Sequence, residues 1–305
     1  MPVIIDGEGR RTVEAAVHLS ATPEEAWQAV ATADGISCWF MPTTAETDQE
    51  GRPTRIITSF GPEMDAVATV TDWDPPHRFT ALGEGEAEAA EGPTQVTTEW
   101  VVEAEEGDGC TVRVIHRWLA DSDAWDGMFE GHAYGWATSF FRILRLYLEH
   151  FAGEPCSDLQ FTAFSQGPAL EAWRTVVSAF KVDEATAAFP IDPTRRTFTS
   201  APGVPHLAGV WEPKEVREPE WLAVRERAPQ VAATLEAMGG EEPELLLRLD
   251  EPAPGIATFM AMPMGDQTML SARLFFYGPE AAQVAARAEG DWREWFAERF
   301  QGEGA

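Results

Sequence analysis

Apolar residues recur along the chain with two periods, every second position in some runs and every third or fourth in others. TVEAAVHLSAT (12–22) reads as a strand. Thr22-Pro23-Glu24-Glu25 then reads as a helix start, with Thr as N-cap, Pro at the first helical position and acids in the first turn. Trp27, Val30 and Ala31 fall on one face of that helix. Asp34-Gly35 breaks it, and a second short helix is expected to carry Ile36, Trp39 and Phe40 as far as Pro42. Strand-like runs follow at RIITSF (55–60), MDAVATVTDW (64–73), RFTAL (78–82), QVTTEWVVE (95–103) and TVRVIHRWL (111–119). Residues 83–93 carry four Glu and no large apolar side chain, as a solvated loop does. Over 123–151 the spacing predicts one long amphipathic helix. Its stripe is Trp125, Phe129, His132, Trp136, Phe140, Ile143, Tyr147 and Phe151. Gly131 and Gly135, costly inside a helix, suggest a bend or close packing there.

After a linker at 152–158 the order partly repeats. LQFTAF (159–164) reads as a strand, and Pro168 opens a helix with Trp173. RRTFTS (195–200) and LAGVWEPKEV (207–216) are strand candidates, and APQVAATLEAMGG (228–240) is helical in composition. ELLLRL (244–249), GIATFMAM (255–262) and TMLSARLFFY (268–277) read as strands. A last helix begins at Gly278-Pro279, with Val284, Ala288, Trp292, Trp295 and Phe296 on its apolar face. TDWDPPHRF (71–79) and VREPEWL (216–222) read as the same strand-to-strand turn in two copies, with Phe79 and Leu222 each restarting burial. On that alignment the helix at 228–240 takes the place of the acidic loop, and the second half has one strand too many. A repeat of this length is a duplicated domain, expected at 1–153 and 157–305.

The 305 residues suit about two domains. Their 44% hydrophobic content supplies two cores. The net charge of −29, with no cluster of Lys or Arg, argues against nucleic acid and against an anionic membrane surface. Cys38, Cys110 and Cys156 are too far apart for a disulfide framework or zinc knuckle. The six His show no metal-ligand spacing, and no nucleotide-binding or nucleophile motif occurs, so neither metal nor cofactor is expected. The start MPVIIDGEGRR is too short and acidic for a signal peptide, and no run of ~18 apolar residues occurs. The expected location is the cytoplasm.

The strand ending at Ser20, the TPEEAWQAV helix (22–30), Trp39-Phe40, the DWDPPHRF turn and the helix with Gly135-Trp136 and Leu144–Leu148 together resemble the START-like (SRPBCC, helix-grip) superfamily. Within it they look most like the activator of the heat-shock protein 90 ATPase and its bacterial homologues. The resemblance covers about residues 10–152 and is weaker over 157–300. It implies an α+β fold of tandem helix-grip domains, each a curved antiparallel sheet wrapped around a long C-terminal helix, with a cavity between them. Period-two alternation puts Val112, Val114, His116 and Trp118 on one face, and Val96, Thr98, Trp100 and Val102 on one face of the neighbouring run. The expected lining of the cavity is Trp39, Trp100, His116, Trp118, His132 and Trp136. His116 and His132 are core histidines in the plainest reading and ligand-orienting or proton-carrying groups in the sharper one. The expected partner is an apolar or aromatic small molecule. The superfamily includes polyketide cyclases and aromatases, so ring closure of a bound chain is one expectation; a chaperone-binding module is the alternative.

Overall fold

The computed structural model describes residues 3–61, 65–84, 96–105, 107, 109–119, 123, 125–182, 196–214, 222–225, 228–240 and 243–300. The chain divides into two compact units, one of residues 1–152 with 216–232 and the other of 153–215 with 233–305.

In the first unit, β1 (Ile4–Ile5) and β2 (Arg10–Leu19) precede two helices, α1 (Pro23–Ala31) and α2 (Ala33–Ser37). Then come β3 (Thr43–Thr47), β4 (Pro53–Ser59), β5 (Asp65–Asp74), β6 (Arg78–Glu84), β7 (Val96–Ala104) and β8 (Cys110–Leu119). They form one antiparallel sheet in the order β1-β2-β8-β7-β6-β5-β4-β3. β2 pairs with the last strand along its whole length, from Arg10 opposite Leu119 to Leu19 opposite Cys110. A bulge between Val70 and Asp72 on β5 adds local twist, which helps the sheet curve. β3 was not expected from its sequence, since TTAET is a short, mostly exposed edge strand with no alternating apolar side.

The start of α1 is capped as its sequence predicts. Thr22 Oγ1 accepts from the Glu25 amide at 3.2 Å, and Glu25 Oε2 accepts from the Thr22 amide at 2.9 Å. At its far end Thr32 Oγ1 donates to the Gln28 carbonyl (2.7 Å) and accepts from the Gly35 amide (3.0 Å), so one hydroxyl joins α1 to α2. A Cβ on Gly35 would stand 1.9 Å from the Gln28 carbonyl oxygen. Because that obstacle is backbone, no side chain can move aside. Gly35→Ala is expected to lower stability by about 1–3 kcal/mol, read as a lower melting temperature. An unchanged melt would mean that the α1–α2 junction is not closely held.

The long helix differs from its expected form. It runs as α3 (Asp126–Gly135), a π-helical turn over Trp136–Phe140, and α4 (Phe141–His150). The Phe141 amide donates to the Trp136 carbonyl, five residues back. Thr138 Oγ1 donates to the Tyr134 carbonyl at 2.8 Å, drawing that acceptor toward a side chain beside the wide turn. The extra residue shifts the buried stripe by one position. Phe141 and Leu144 become the deepest residues of α4, 1% and 0% exposed, while Phe140 is only half-buried. Gly131 does serve close packing: Gln230 and Val231 of the same unit lie 3.5 and 3.8 Å from where its Cβ would stand.

In the second half, β9 (Cys156–Gln166), α5 (Ala169–Ser178), β10 (Phe180–Val182), β11 (Arg196–Ser200) and β12 (Ala208–Glu212) are followed by α6 (Pro229–Ala237). β13 (Glu244–Glu251), β14 (Gly255–Met264), β15 (Gln267–Tyr277) and α7 (Ala281–Arg299) complete it. The strand order, β10-β11-β12-β13-β14-β15-β9, matches β3-β4-β5-β6-β7-β8-β2 position for position. The surplus strand is thus accounted for, because β13 is the counterpart of β6, and Leu222 opens no strand of its own.

One part of the expected alignment is corrected. α6 lies between β12 and β13, the counterparts of β5 and β6, and so does not replace the acidic loop that follows β6. In the first unit that connection is the tight turn of DWDPPHRF, closed by the His77 amide on the Asp74 carbonyl at 2.8 Å. In the second half of the chain it is the whole stretch from Glu212 to Glu244, of which residues 216–232 belong to the first unit. Residues 216–221 of VREPEWL lie outside the described residues; Leu222 begins a helical turn and is exposed, so it restarts no strand. The interior of the second unit is packed with rings. Trp292, Trp295 and Phe296 of α7 meet Phe161 of β9 and Phe259 of β14, with Phe161 stacked on Phe296 at 5.7 Å. Each unit is a curved antiparallel sheet with a long C-terminal helix, and the chain is a tandem of helix-grip domains.

Candidate functional site

The first unit holds a cavity of about 740 Å³. The sheet supplies most of its wall through alternate residues. β6 contributes Phe79, Ala81 and Gly83, and β7 contributes Val96, Thr98 and Trp100. Register decides where the space lies. Phe79 pairs with Trp100 and Trp100 with Val114, which makes one bulky row across three strands. The next row is Ala81, Thr98 and His116, in register and smaller. The small row leaves the room that the bulky row fills. Ile56 and Thr58 of β4, and Asp65 to Ala68 of β5, continue the wall toward the sheet edge.

Rings complete the enclosure. Trp39 and Phe40, expected inside the second short helix, lie in the turn just after α2, and Trp136 opens the π turn. Trp136 lies 4.9 Å from Phe40, and 5.2 Å from Trp100 with its plane nearly perpendicular. Phe40 meets Phe60 edge-on at 6.1 Å. The wide turn brings both Phe140 and Phe141 to Trp136, at 5.1 and 5.8 Å, so one helix face presents more ring than regular α geometry would. Trp39 is 1% exposed and donates its indole N–H to the Ala29 carbonyl at 2.9 Å. That carbonyl is in the last turn of α1, where backbone acceptors need outside partners.

The polar groups on the wall are few. His116 accepts from the Trp136 indole at Nε2, 3.1 Å away, and its Nδ1 lies 3.0 Å from Thr98 Oγ1. Burial, and to a lesser degree His132, push the His116 imidazole down to about 4, so it is neutral at ordinary pH. Thr58 Oγ1 is 3.4 Å from Thr43 Oγ1, and Asp65 is exposed at the edge.

Of the six residues expected to line the cavity, Trp39, Trp100, His116 and Trp136 are on its wall. Trp118 and His132 gather instead around Phe129. Trp118 is stacked on that ring at 3.9 Å, and His132 meets its edge at 5.7 Å and is exposed. Trp118 shares a strand face with His116, but it sits near the strand end, where α3 lies across it. Phe79, Ala81 and Thr98 were not singled out as site residues, although the alternation in RFTAL and QVTTEWVV already put each on a definite face. Among the described residues no three His, Cys, Asp or Glu side chains gather as a metal site, and no helix is long and apolar enough to cross a membrane.

A sheet whose first and last long strands pair, with a C-terminal helix across it and an aromatic cavity between, defines a helix-grip ligand-binding fold. Residues 10–145 match the family described as polyketide cyclase / dehydrase and lipid transport, in keeping with the resemblance of the first domain to the START-like (SRPBCC) superfamily. No curated protein matches the chain. Among solved structures, the di-domain ARO/CYC BexL from the BE-7585A biosynthetic pathway is 13% identical, covering 95% of this chain and 93% of its own, with a TM-score of 0.41. CalU16 from Micromonospora echinospora is 19% identical over 49% of this chain and 83% of its own, with a TM-score of 0.37. Aha1 from Colwellia psychrerythraea is 21% identical over 46% of this chain and 96% of its own, with a TM-score of 0.35. Scores of this size leave the fold assignment to the strand order and the family match.

Proposed function

We propose that the first domain binds an apolar, ring-bearing small molecule in the cavity between sheet and helix. The observation that carries this is the wall itself: about 740 Å³ of space faced by Trp39, Phe40, Phe79, Trp100 and Trp136, with a handful of polar groups. Ligand sites are typically of this size and composition. The matching family covers both cyclisation or dehydration of polyketides and transport of lipids. Binding is the part the geometry favours, since both nitrogens of His116 are engaged and no base is left free on that ring. Cyclase or aromatase-like chemistry would use the same cavity to fold a bound chain.

Native mass spectrometry of the full chain, with a panel of fatty acids, naphthalene-sized aromatics and aromatic polyketides, tests this reading. One-to-one adducts and a change in tryptophan emission are expected, because three tryptophans line the space. No adduct and no emission change across the panel would overturn it. Stimulation of a bacterial heat-shock protein 90 homologue's ATPase, with no small molecule bound, would put a chaperone-binding module in its place.

A further inference from the structure

A short chain of side-chain hydrogen bonds runs along the cavity wall, and elementary chemistry sets its direction. An indole N–H can only donate. Trp136 Nε1 lies 3.1 Å from His116 Nε2, so Nε2 carries the lone pair. A neutral imidazole has one N–H, which must then be on Nδ1. Nδ1 is 3.0 Å from Thr98 Oγ1, and it donates to that oxygen. The hydroxyl hydrogen of Thr98 therefore points away from the imidazole, and among the described residues it meets no acceptor. Thr98 lies in the small row, between Ala81 and His116, where the wall leaves space for a ligand atom to approach. Apart from the Trp100 indole, a further N–H donor on the wall, the other polar side chains there are placed differently. The Trp39 indole is bound to the Ala29 carbonyl, Thr58 is 3.4 Å from Thr43, and Asp65 as a carboxylate can only accept.

We propose that Thr98 determines specificity in this cavity by donating its hydroxyl to an acceptor oxygen, such as a ketone carbonyl, on an otherwise apolar ligand, with Trp136 and His116 as the positioning residues that hold it in the donating state. The proposal rests on the cavity being a ligand site. It assigns His116 the part of a fixed neutral imidazole rather than a proton carrier. It also divides apolar ligands into two groups: those with an oxygen that reaches Thr98, and those that fill the space without one.

The test is a cycle of two ligands and three proteins, read by isothermal titration calorimetry. The ligands are 2-acetylnaphthalene and 2-ethylnaphthalene, alike in shape and differing in the carbonyl. Thr98→Val keeps the branched shape and removes the hydroxyl; Thr98→Ser keeps the hydroxyl. In Thr98→Val the ketone is expected to bind roughly tenfold more weakly, while the ethyl compound changes by less than about twofold. Thr98→Ser is expected to retain most of the ketone affinity. The carbonyl stretch of the bound ketone is expected to move to lower frequency in the wild type relative to Thr98→Val, which a merely structural role for Thr98 would not produce. Equal changes for both ligands, or an unchanged ketone affinity in Thr98→Val, would overturn the role of Thr98 and leave the cavity reading standing. If neither ligand binds the wild type, the role of Thr98 toward a ketone of this size falls, and the cavity reading is then decided by the wider panel above. Binding of the ethyl compound by Thr98→Val also shows that the variant is folded.

Discussion

Trp39→Ala is expected to destabilise the first domain by about 3–5 kcal/mol, the range for removing a large buried aromatic side chain. Two separate losses contribute. The ring is 1% exposed and fills the angle between Trp100 and Trp136, at centroid distances of 6.5 and 6.4 Å. The void would open onto a cavity of about 740 Å³ that already exists, so few surrounding groups can collapse into it. The indole N–H is also the donor to the Ala29 carbonyl. Without it an acceptor in the last turn of α1 is left buried, a penalty of about 1–3 kcal/mol. Trp39→Phe helps to separate the two terms, since it keeps a six-membered ring in the core while removing the donor and the rest of the indole; its loss is expected to be the smaller. Native-state hydrogen exchange on β7 and β8 is the suitable measurement, because it reports the first domain independently of the second. Unchanged protection of those strands in Trp39→Ala would show that the ring does not support the core.

The second large effect depends on pH. The imidazole of His116 titrates near 4 in the folded protein and near 6.5 when exposed, because burial and the neighbouring His132 disfavour its charged form. The unfolded chain therefore takes up the proton first as pH falls. Stability from this group is fully present above about pH 6.5, is lost as pH falls toward about 4, and changes no further below that. The difference amounts to roughly 3 kcal/mol. The geometry agrees in sign, since an imidazolium would turn an N–H toward the Trp136 indole N–H and set two donors face to face. His116→Gln supplies an amide oxygen for Trp136 and an amide N–H for Thr98, and it cannot be protonated in this range. Urea denaturation of both proteins at several values between pH 4 and pH 7 is expected to show their stabilities diverging toward neutral pH, with the wild type gaining more. Carboxylates elsewhere titrate in both proteins and cancel in the comparison. Parallel curves would mean that His116 takes up its proton without disturbing the wall.

Local chemistry in the sequence already specified several parts of this arrangement. The Thr22 capping box is read from Thr, Pro and Glu at their spacing, because its partners are three residues apart. The faces of β7 and β8 are read from period-two alternation, since a pleated strand has only two sides. That was enough to put Trp100 and His116 on definite strand faces, and the resemblance implied that the helices expected to carry Trp39 and Trp136 lie beside them; Trp39 in fact lies in the turn after its helix. The repeated strand order was legible for the same reason, apart from β3 and β10, which are short and carry little alternation.

What tertiary structure decided is everything that depends on neighbours far apart in the chain. Alternation names a face but not the residue across the sheet, so the row Ala81–Thr98–His116, and with it the cavity, required the register of three strands. The π turn was hidden because a stripe counted at 3.6 residues per turn assumes that no residue is inserted, and the insertion changed which of Phe140 and Phe141 goes deepest. Trp118 and His132 have the right faces by sequence, yet both are drawn to Phe129, whose position depends on how α3 lies across the strand ends. The sequence by itself determined the succession of strands and helices in the two halves and the aromatic character of one interior, since these depend on periods and caps within a few residues, while the helix-grip arrangement was what the family resemblance implied. Only the packed structure decided where the empty space lies and which hydroxyl faces it, because that follows from pairing across strands and from one extra residue in a helical turn.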